Sequence, residues 1–224
     1  LKRLKKISLS TKIIYKILKR HGLNILECKI KNRKWKRFAM KKPNQMVQMD
    51  ILGPFYLENC AQKNYFISCE DDCSRKVTSE WSERKRSIDV IDVLEDYIVE
   101  NGKPNKVMHD NGKQFKSKIF RRFLKKNNIK DKSIPARYPQ LQGKIEAYNK
   151  ILKNEFLAVE NISDVEEGKK MYSMFVKAYN EEREHGGING YTPLEMFLSK
   201  GRLNNSSSKK IIKQIKESVT HVGK

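Results

Sequence analysis

Apolar residues along the middle of the chain alternate first with a period of two, then with a period near 3.6. Met46–Leu52, Tyr65–Cys69 and Lys76–Trp81 carry short strand-like runs, close enough to form a meander. Residues 87–100 predict a helix with Ile88, Ile91, Leu94 and Ile98 on one face. Lys106–His109 is a fourth strand, residues 114–127 a helix with Phe115, Ile119, Phe123 and Leu124 inward, and Ile129–Ile134 a fifth strand. Residues 143–157 place Ile145, Tyr148, Leu152 and Phe156 on one stripe. A further helix, from Asp164 to about Glu182, turns Val165, Tyr172, Phe175, Val176 and Tyr179 inward. Thr192-Pro193-Leu194-Glu195 is a capping box with proline at the first helical position. Three strands followed by alternating helices and strands predict an α/β fold, a mixed sheet covered on both faces.

The flanks follow other rules. Residues 8–22 read as a short helix capped by Ser8 or Ser10 and stopped by Gly22. Its Thr11 to Arg20 stretch suits the last helix of a helix-turn-helix, with Lys12, Lys16, Lys19 and Arg20 as candidate DNA contacts. A basic packing helix is the other reading. Four parts result: a partial helix-turn-helix over 1–26, a basic linker over 27–45, a core over 46–200 and a basic tail over 201–224. Trp35 and Phe38 are candidate anchors of the linker on the core or on DNA. In the tail, 209–222 is either a basic amphipathic helix or disordered. Leu1 in place of Met leaves open a fragment, a truncated reading frame or an alternative start codon.

Charge points to a polyanion. The net charge is +22, and residues 1–42 hold 16 Lys/Arg against Glu27 alone. Residues 103–153 carry 15 bases against Asp110, Asp131 and Glu146. A lysine-rich genome would raise the total but would not concentrate it in this way, so phosphate neutralisation is the expected source of affinity. No apolar stretch approaches a membrane span and no secretory signal is visible, so no membrane partner is expected. Cys28, Cys60, Cys69 and Cys73 suit a reducing compartment. Cys69-x₃-Cys73 invites a zinc reading, but lacks paired histidines and reads as packing. A zinc-binding N-terminal module is not expected.

Three carboxylates stand out from this basic background. Asp50 lies inside the apolar run Val47-Gln48-Met49-Asp50-Ile51-Leu52, where an ionised group is costly unless paired, hydrated or cation-bound. Asp110 opens the turn Asp110-Asn111-Gly112, and Glu146 lies in Gly143-Lys144-Ile145-Glu146. Each alone has an ordinary explanation: an edge residue, a simple turn, a solvated Glu–Lys pair. Together they are a donor set for a hard divalent ion.

The flanks of these acids resemble the D-D-E signature of retroviral-type integrase cores, and more closely that of insertion-sequence transposases. The resemblance rests on Gln48-Met49-Asp50, on His109-Asp110-Asn111-Gly112-Lys113-Gln114-Phe115 and on Tyr138-Pro139-Gln140-Leu141-Gln142-Gly143-Lys144-Ile145-Glu146. Tyr179-Asn180-Glu181-Glu182-Arg183-Glu184-His185 matches a downstream Y-N-x-x-R-x-H signature, and Gly190-Tyr191-Thr192-Pro193-Leu194-Glu195-Met196-Phe197 the usual ending. Departures are Gln142 for a usual Asn, Ala147 for a frequent Arg and Lys113 for a common small residue; none removes a carboxylate.

The resemblance implies a ribonuclease-H-like five-stranded sheet flanked by helices. It implies strand cleavage at transposon ends and strand transfer into target DNA. Two Mg²⁺ (or Mn²⁺) would be held by Asp50, Asp110 and Glu146, with Asp50 bridging both. Partners would be end-repeat and target DNA and further copies of the chain, in a prokaryotic cytoplasm beside the nucleoid. Candidate DNA contacts beyond the N-terminal helix are Lys113, Gln140, Lys144, Asn149, Lys150, Lys153, Arg183 and His185. Glu146, Asn149, Lys150 and Lys153 fall on one helical face; a solvated Glu–Lys face is the alternative there. His185 is not expected to ligate metal, and Tyr138–Gly143 is expected to be a mobile loop beside the site. Two alternatives stay open: an inactive DNA-binding remnant, and a ribonuclease-H-like nuclease acting on RNA–DNA hybrids.

Overall fold

The computed structural model describes residues 10–22, 39–58, 61–134, 143–159, 162 and 164–200. The chain divides into two compact units, Leu1–Arg37 and Phe38–Lys224. In the first, Thr11–Arg20 forms helix α1, and Ser10 caps it by accepting from the Ile13 N–H. Lys19 and Arg20 occupy its last turn, where cations complement the helix dipole. Ile13, Ile14, Ile17 and Leu18 are exposed on it. The other segments of the expected helix-turn-helix, Trp35, Phe38, residues 135–142 with Gln140 and most of the expected mobile loop, and residues 201–224 lie outside the described residues.

The second unit is built on strands β1 (Val47–Phe55), β2 (Asn64–Asp71), β3 (Val77–Ser82), β4 (Lys106–His109) and β5 (Lys130–Ser133). They form one sheet in the order β3-β2-β1-β4-β5. The meander β1-β2-β3 is antiparallel, whereas β4 and β5 add in parallel. Between them run helices α2 (Ser87–Asn101) and α3 (Lys118–Lys126). After β5 come α4 (Gly143–Ile151), which continues as a π-helical turn over Leu152–Leu157, then α5 (Val165–Glu181) and α6 (Pro193–Leu198). This is the mixed five-stranded sheet flanked by helices that the hydrophobic periods predict.

Strand alternation divides the core into two layers. On one face Val47, Met49, Ile67, Cys69 and Val107 pack with Val90, Leu94, Tyr97, Phe120 and Leu124 from α2 and α3. On the other, Phe66, Val77 and Trp81 pack with Tyr148, Leu152, Phe156, Tyr172 and Tyr179 from the later helices. Gly168 is required at this second interface, because a Cβ there would come within 2.6 Å of the Trp81 ring. Edge strand β5 is largely charged, which discourages edge pairing.

Several local expectations shift. Ser117 caps α3 through the Phe120 N–H, so the helix starts at Lys118 rather than at 114. Its inward stripe is Phe120 and Leu124, and Ile119 is 57% exposed. Ile88 is 45% exposed, its expected place in the layer taken by Val90 and Val93. The helix expected over 143–157 changes to π geometry after Ile151, with the Ala158 N–H bonded to the Lys153 carbonyl at 3.0 Å. Residues 39–45, read from sequence as linker, are tied to the core: the Met40 N–H donates to Asp72, and the Asn44 N–H to Asp71. Among the described residues no helix is long and apolar enough to cross a membrane.

Candidate active site

Register brings the first two acids together. β1 and β4 run in parallel with Met49 opposite His109, so the next residue along each strand is Asp50 and Asp110. Asp50 stays within β1, paired with Ser68 of β2, while Asp110 stands beside it just past the carboxyl end of β4. Asp50 faces the later helices, on the same side as Gln48, Ser68 and Glu70, since Gln48 pairs with Glu70 and Asp50 with Ser68. Glu146 comes from the first turn of α4, which packs on that face through Ile145 and Tyr148.

Asp50 senses the charges of the other two acids. Burial pushes the Asp50 carboxyl above its ordinary value; the Asp110 and Glu146 charges push it the same way. Hydrogen bonds from the Ile51 backbone and from Asn149 oppose the rise. Asn149 Nδ2 donates to Asp50 Oδ2 at 2.7 Å. Asp110 is fixed differently. Its Oδ1 accepts the Gly112 N–H at 2.9 Å, and a Cβ at Gly112 would sit 2.9 Å from that same oxygen. That close approach is a physical reason for glycine in the Asp-Asn-Gly turn. Asn111 Nδ2 donates to the Ile134 carbonyl at 2.6 Å, and His109 Nδ1 lies 2.5 Å from the Asp110 carbonyl oxygen. Buried His109 also stacks on Phe115 and reaches Asp131 at 2.9 Å, bracing the turn from below.

Among the described residues no three His, Cys, Asp or Glu side chains stand close enough to cage a metal ion. The donor chemistry nonetheless fits one: three carboxylates without sulfur, two of whose charges add to burial in raising Asp50, an effect a divalent cation would relieve.

The remaining predicted residues separate into groups. Lys113, Lys150 and Lys153 are exposed. Asn149 is buried on Asp50, so the stripe through Glu146, Asn149, Lys150 and Lys153 turns one member inward. Lys144 pairs with buried Asp72 at 2.6 Å. Burial holds the Lys144 ammonium below the ordinary lysine range, and the nearby Arg75 charge adds to this. Arg183 Nη2 donates to Glu155 at 2.8 Å. His185 lies edge-on to Tyr179, and burial, then the Arg183 and Arg75 charges, lower its pKa to about 4, leaving it neutral near pH 7. Lys12, Lys16, Lys19 and Arg20 are exposed on α1.

Sequence reasoning missed the acidic turn after β2. Asp71 Oδ1 accepts from the Cys73 and Ser74 N–H groups and from Ser74 Oγ, closing the turn. Glu70 is fully buried with neither carboxylate oxygen partnered, and burial pushes its pKa up to about 8. The visible signal was the run Glu70-Asp71-Asp72 ending a strand otherwise buried throughout. Asn180 was also missed: its side chain accepts from the Val77 N–H at 2.9 Å and donates to the Val77 carbonyl at 2.8 Å, sealing edge strand β3.

This topology, a mixed five-stranded sheet in the order β3-β2-β1-β4-β5 flanked by helices, is that of the ribonuclease-H-like integrase catalytic cores. Two family models, both described as integrase core domain, match residues 40–139 and 127–193. The chain belongs to that family, with a core of the D-D-E integrase and transposase type. It is 24% identical over 158 residues to an uncharacterized protein of Caenorhabditis elegans, covering 70% of this chain and 12% of that protein. It is 24% identical over 99 residues to an uncharacterized protein of insertion element IS136 from Agrobacterium fabrum, covering 43% of this chain and 51% of that one. The chain thus spans about half of the insertion-element relative and a small part of the nematode one. The HTLV-2 integrase catalytic core domain, solved in complex with magnesium, superposes with a TM-score of 0.57 at 21% identity. That match covers 70% of this chain and 97% of the HTLV-2 chain.

Proposed function

We propose that the chain is a D-D-E DNA transposase that cuts strands at the ends of a mobile element and joins the freed 3′ hydroxyl to target DNA. The observation that supports this is the register that sets Asp110 beside Asp50, together with the charges of Asp110 and Glu146 that reach Asp50 and, after burial, raise its carboxyl. Asp50, Asp110 and Glu146 would hold two Mg²⁺ or Mn²⁺ ions, which when bound supply activation of the attacking oxygen and stabilisation of the leaving one. The HTLV-2 core solved with magnesium supports that choice of ion.

The chain's own residues prepare this site. Asn149 orients the Asp50 carboxylate by donating to Oδ2. The Gly112 amide orients Asp110, while His109 and Asn111 hold the turn that carries it. No covalent nucleophile from the protein is needed, because water or the 3′ hydroxyl attacks. Exposed Lys113, Lys150 and Lys153 would neutralise phosphates beside the acids, with Lys12, Lys16, Lys19 and Arg20 gripping DNA elsewhere. Joining two ends to one target calls for more than one copy of the chain.

The test is strand cleavage by the full chain on end-labelled duplexes taken from the borders of its own element. Nicking in Mg²⁺ or Mn²⁺ and none in EDTA is the expected result. Binding of the same duplexes without cleavage in either metal would support an inactive remnant. Cleavage confined to RNA–DNA hybrids would support the third reading.

A further inference from the structure

The first turn of α4 carries a cation at the helix end that disfavours one. Lys144 lies two residues before Glu146, and the partial positive charge of a helix N-terminus opposes it. Asp72 supplies the compensation. Lys144 Nζ lies 2.6 Å from Asp72 Oδ2 and donates to the Asp72 carbonyl at 3.0 Å. The Lys144 side chain is 17% exposed and that of Asp72 not at all.

Asp72 is also tied to β1. Its Oδ1 accepts from Gln48 Nε2 at 2.7 Å, and its Oδ2 accepts from the Met40 N–H at 2.7 Å. Gln48 lies two residues before Asp50. One buried carboxylate therefore joins the segment that carries Asp50 to the segment that carries Glu146. Residues two apart project to different sides of a helix, so Lys144 can reach the sheet while Glu146 stays exposed.

We propose that Asp72 and Lys144 are positioning residues whose ion pair sets the first turn of α4 on β1, and so fixes Glu146 relative to Asp50; this rests on the transposase reading above. A buried pair adds little net stability, but displacing one partner leaves an uncompensated buried charge. Sliding or rotating α4 would do that, so the pair selects one placement of the helix. Misplacement by about 1 Å is enough to cripple a catalytic constellation. Lys144 then serves the acids and not a phosphate, and the phosphate role falls to exposed Lys150 and Lys153.

The experiment uses the full chain with Lys144→Met, Lys144→Arg and the double variant Asp72→Asn/Lys144→Met. Three quantities are measured: amide exchange at Tyr148 and Asn149, Mn²⁺ affinity without DNA by electron paramagnetic resonance, and duplex affinity in EDTA across salt concentrations. Lys144→Met is expected to speed exchange at those two amides more than in α2, and to weaken Mn²⁺ binding by about tenfold or more, as loss of an outer-sphere partner does. Duplex affinity and its salt slope should stay unchanged. Lys144→Arg, which can still bridge Asp72, should keep the native values. Where Lys144→Met fails to fold, the double variant leaves no lone buried charge; it should fold and still bind Mn²⁺ weakly.

Native exchange and native Mn²⁺ affinity in Lys144→Met would overturn the proposal. So would native Mn²⁺ affinity in the double variant, or a salt slope shallower by roughly 0.9, the signature of a lost phosphate contact. A native chain that binds no Mn²⁺ would overturn the transposase reading instead, and the exchange comparison would still decide whether the pair sets α4.

Discussion

The two faces of the central sheet are built from the same strands by opposite rules. Toward α2 and α3, strands β1, β2 and β4 contribute Val47, Met49, Ile67, Cys69 and Val107, all apolar or sulfur-bearing. Toward the later helices, the intervening positions are Gln48, Asp50, Ser68 and Glu70, interleaved with aromatics such as Phe66 and Trp81. The first face needs only shape and burial. The second also buries polar groups, and several of them are answered by Asp72, Asn149, Ser79 and Tyr172. Among those left unanswered, the Glu70 carboxylate oxygens and Gln48 Oε1 lie near Asp50 on the strands. Both faces bury an apolar cluster, and the second also carries Asp50 and Glu70.

The largest expected effect lies on the polar face. Asp50→Asn, Asp110→Asn and Glu146→Gln should each reduce strand cleavage by about a thousandfold or more, since a lost metal ligand forfeits several kcal/mol of transition-state stabilisation. Duplex binding in EDTA should persist, and near-native cleavage by any one variant would remove that residue from the site. On the apolar face, Leu94→Ala should cost about 2–5 kcal/mol in denaturant unfolding. The folded fraction should keep its native metal requirement. A changed metal requirement in Leu94→Ala would break the division of labour between the faces.

Glu70 sharpens the comparison through pH. Its carboxyl is raised from 4.5 to about 8 in the folded chain. Below pH 4.5 both states are protonated and burial of this group carries no ionic cost. As pH rises from 4.5 to about 8 the unfolded chain ionises first, so the stability attached to protonated Glu70 is progressively lost. The loss by pH 8 amounts to as much as about 5 kcal/mol. Glu70→Gln should therefore flatten the pH dependence of stability across this window. An unchanged slope in urea unfolding from pH 5 to 8 would show that Glu70 ionises normally. A smaller effect is expected at Asn180→Ala, about 1–3 kcal/mol from leaving the Val77 N–H and carbonyl unpaired. Cleavage lost out of proportion to stability would give Asn180 a part in the chemistry.

What the sequence revealed follows from the range of the interactions involved. Period-two and period-3.6 patterns are local, so all five strands and the helices that cover them could be read directly. The acids could be singled out as candidates because their flanking turn and strand residues are contiguous with them. Ser117 was equally local, yet the apolar spacing of Phe115, Ile119 and Phe123 masked its capping role. Lys144 looked like one more base among many, because its partner Asp72 lies in another part of the chain. Asn149 was placed on the polar stripe, because nothing in its own helix reveals that it meets Asp50. The Y-N-x-x-R-x-H signature suggested DNA contacts at Arg183 and His185. In the fold Tyr179 packs between Tyr148 and His185, Asn180 seals β3, and Arg183 pairs with Glu155.

The central claim is that Asp50, Asp110 and Glu146 act as one cation-binding group. Titration of the full chain with Mn²⁺, counting free ion by electron paramagnetic resonance, tests it without reference to activity or to any DNA sequence. The account predicts saturable binding by the native chain, strongly weakened by Asp50→Asn and reduced by Asp110→Asn and by Glu146→Gln. Binding left unchanged by all three substitutions would contradict it.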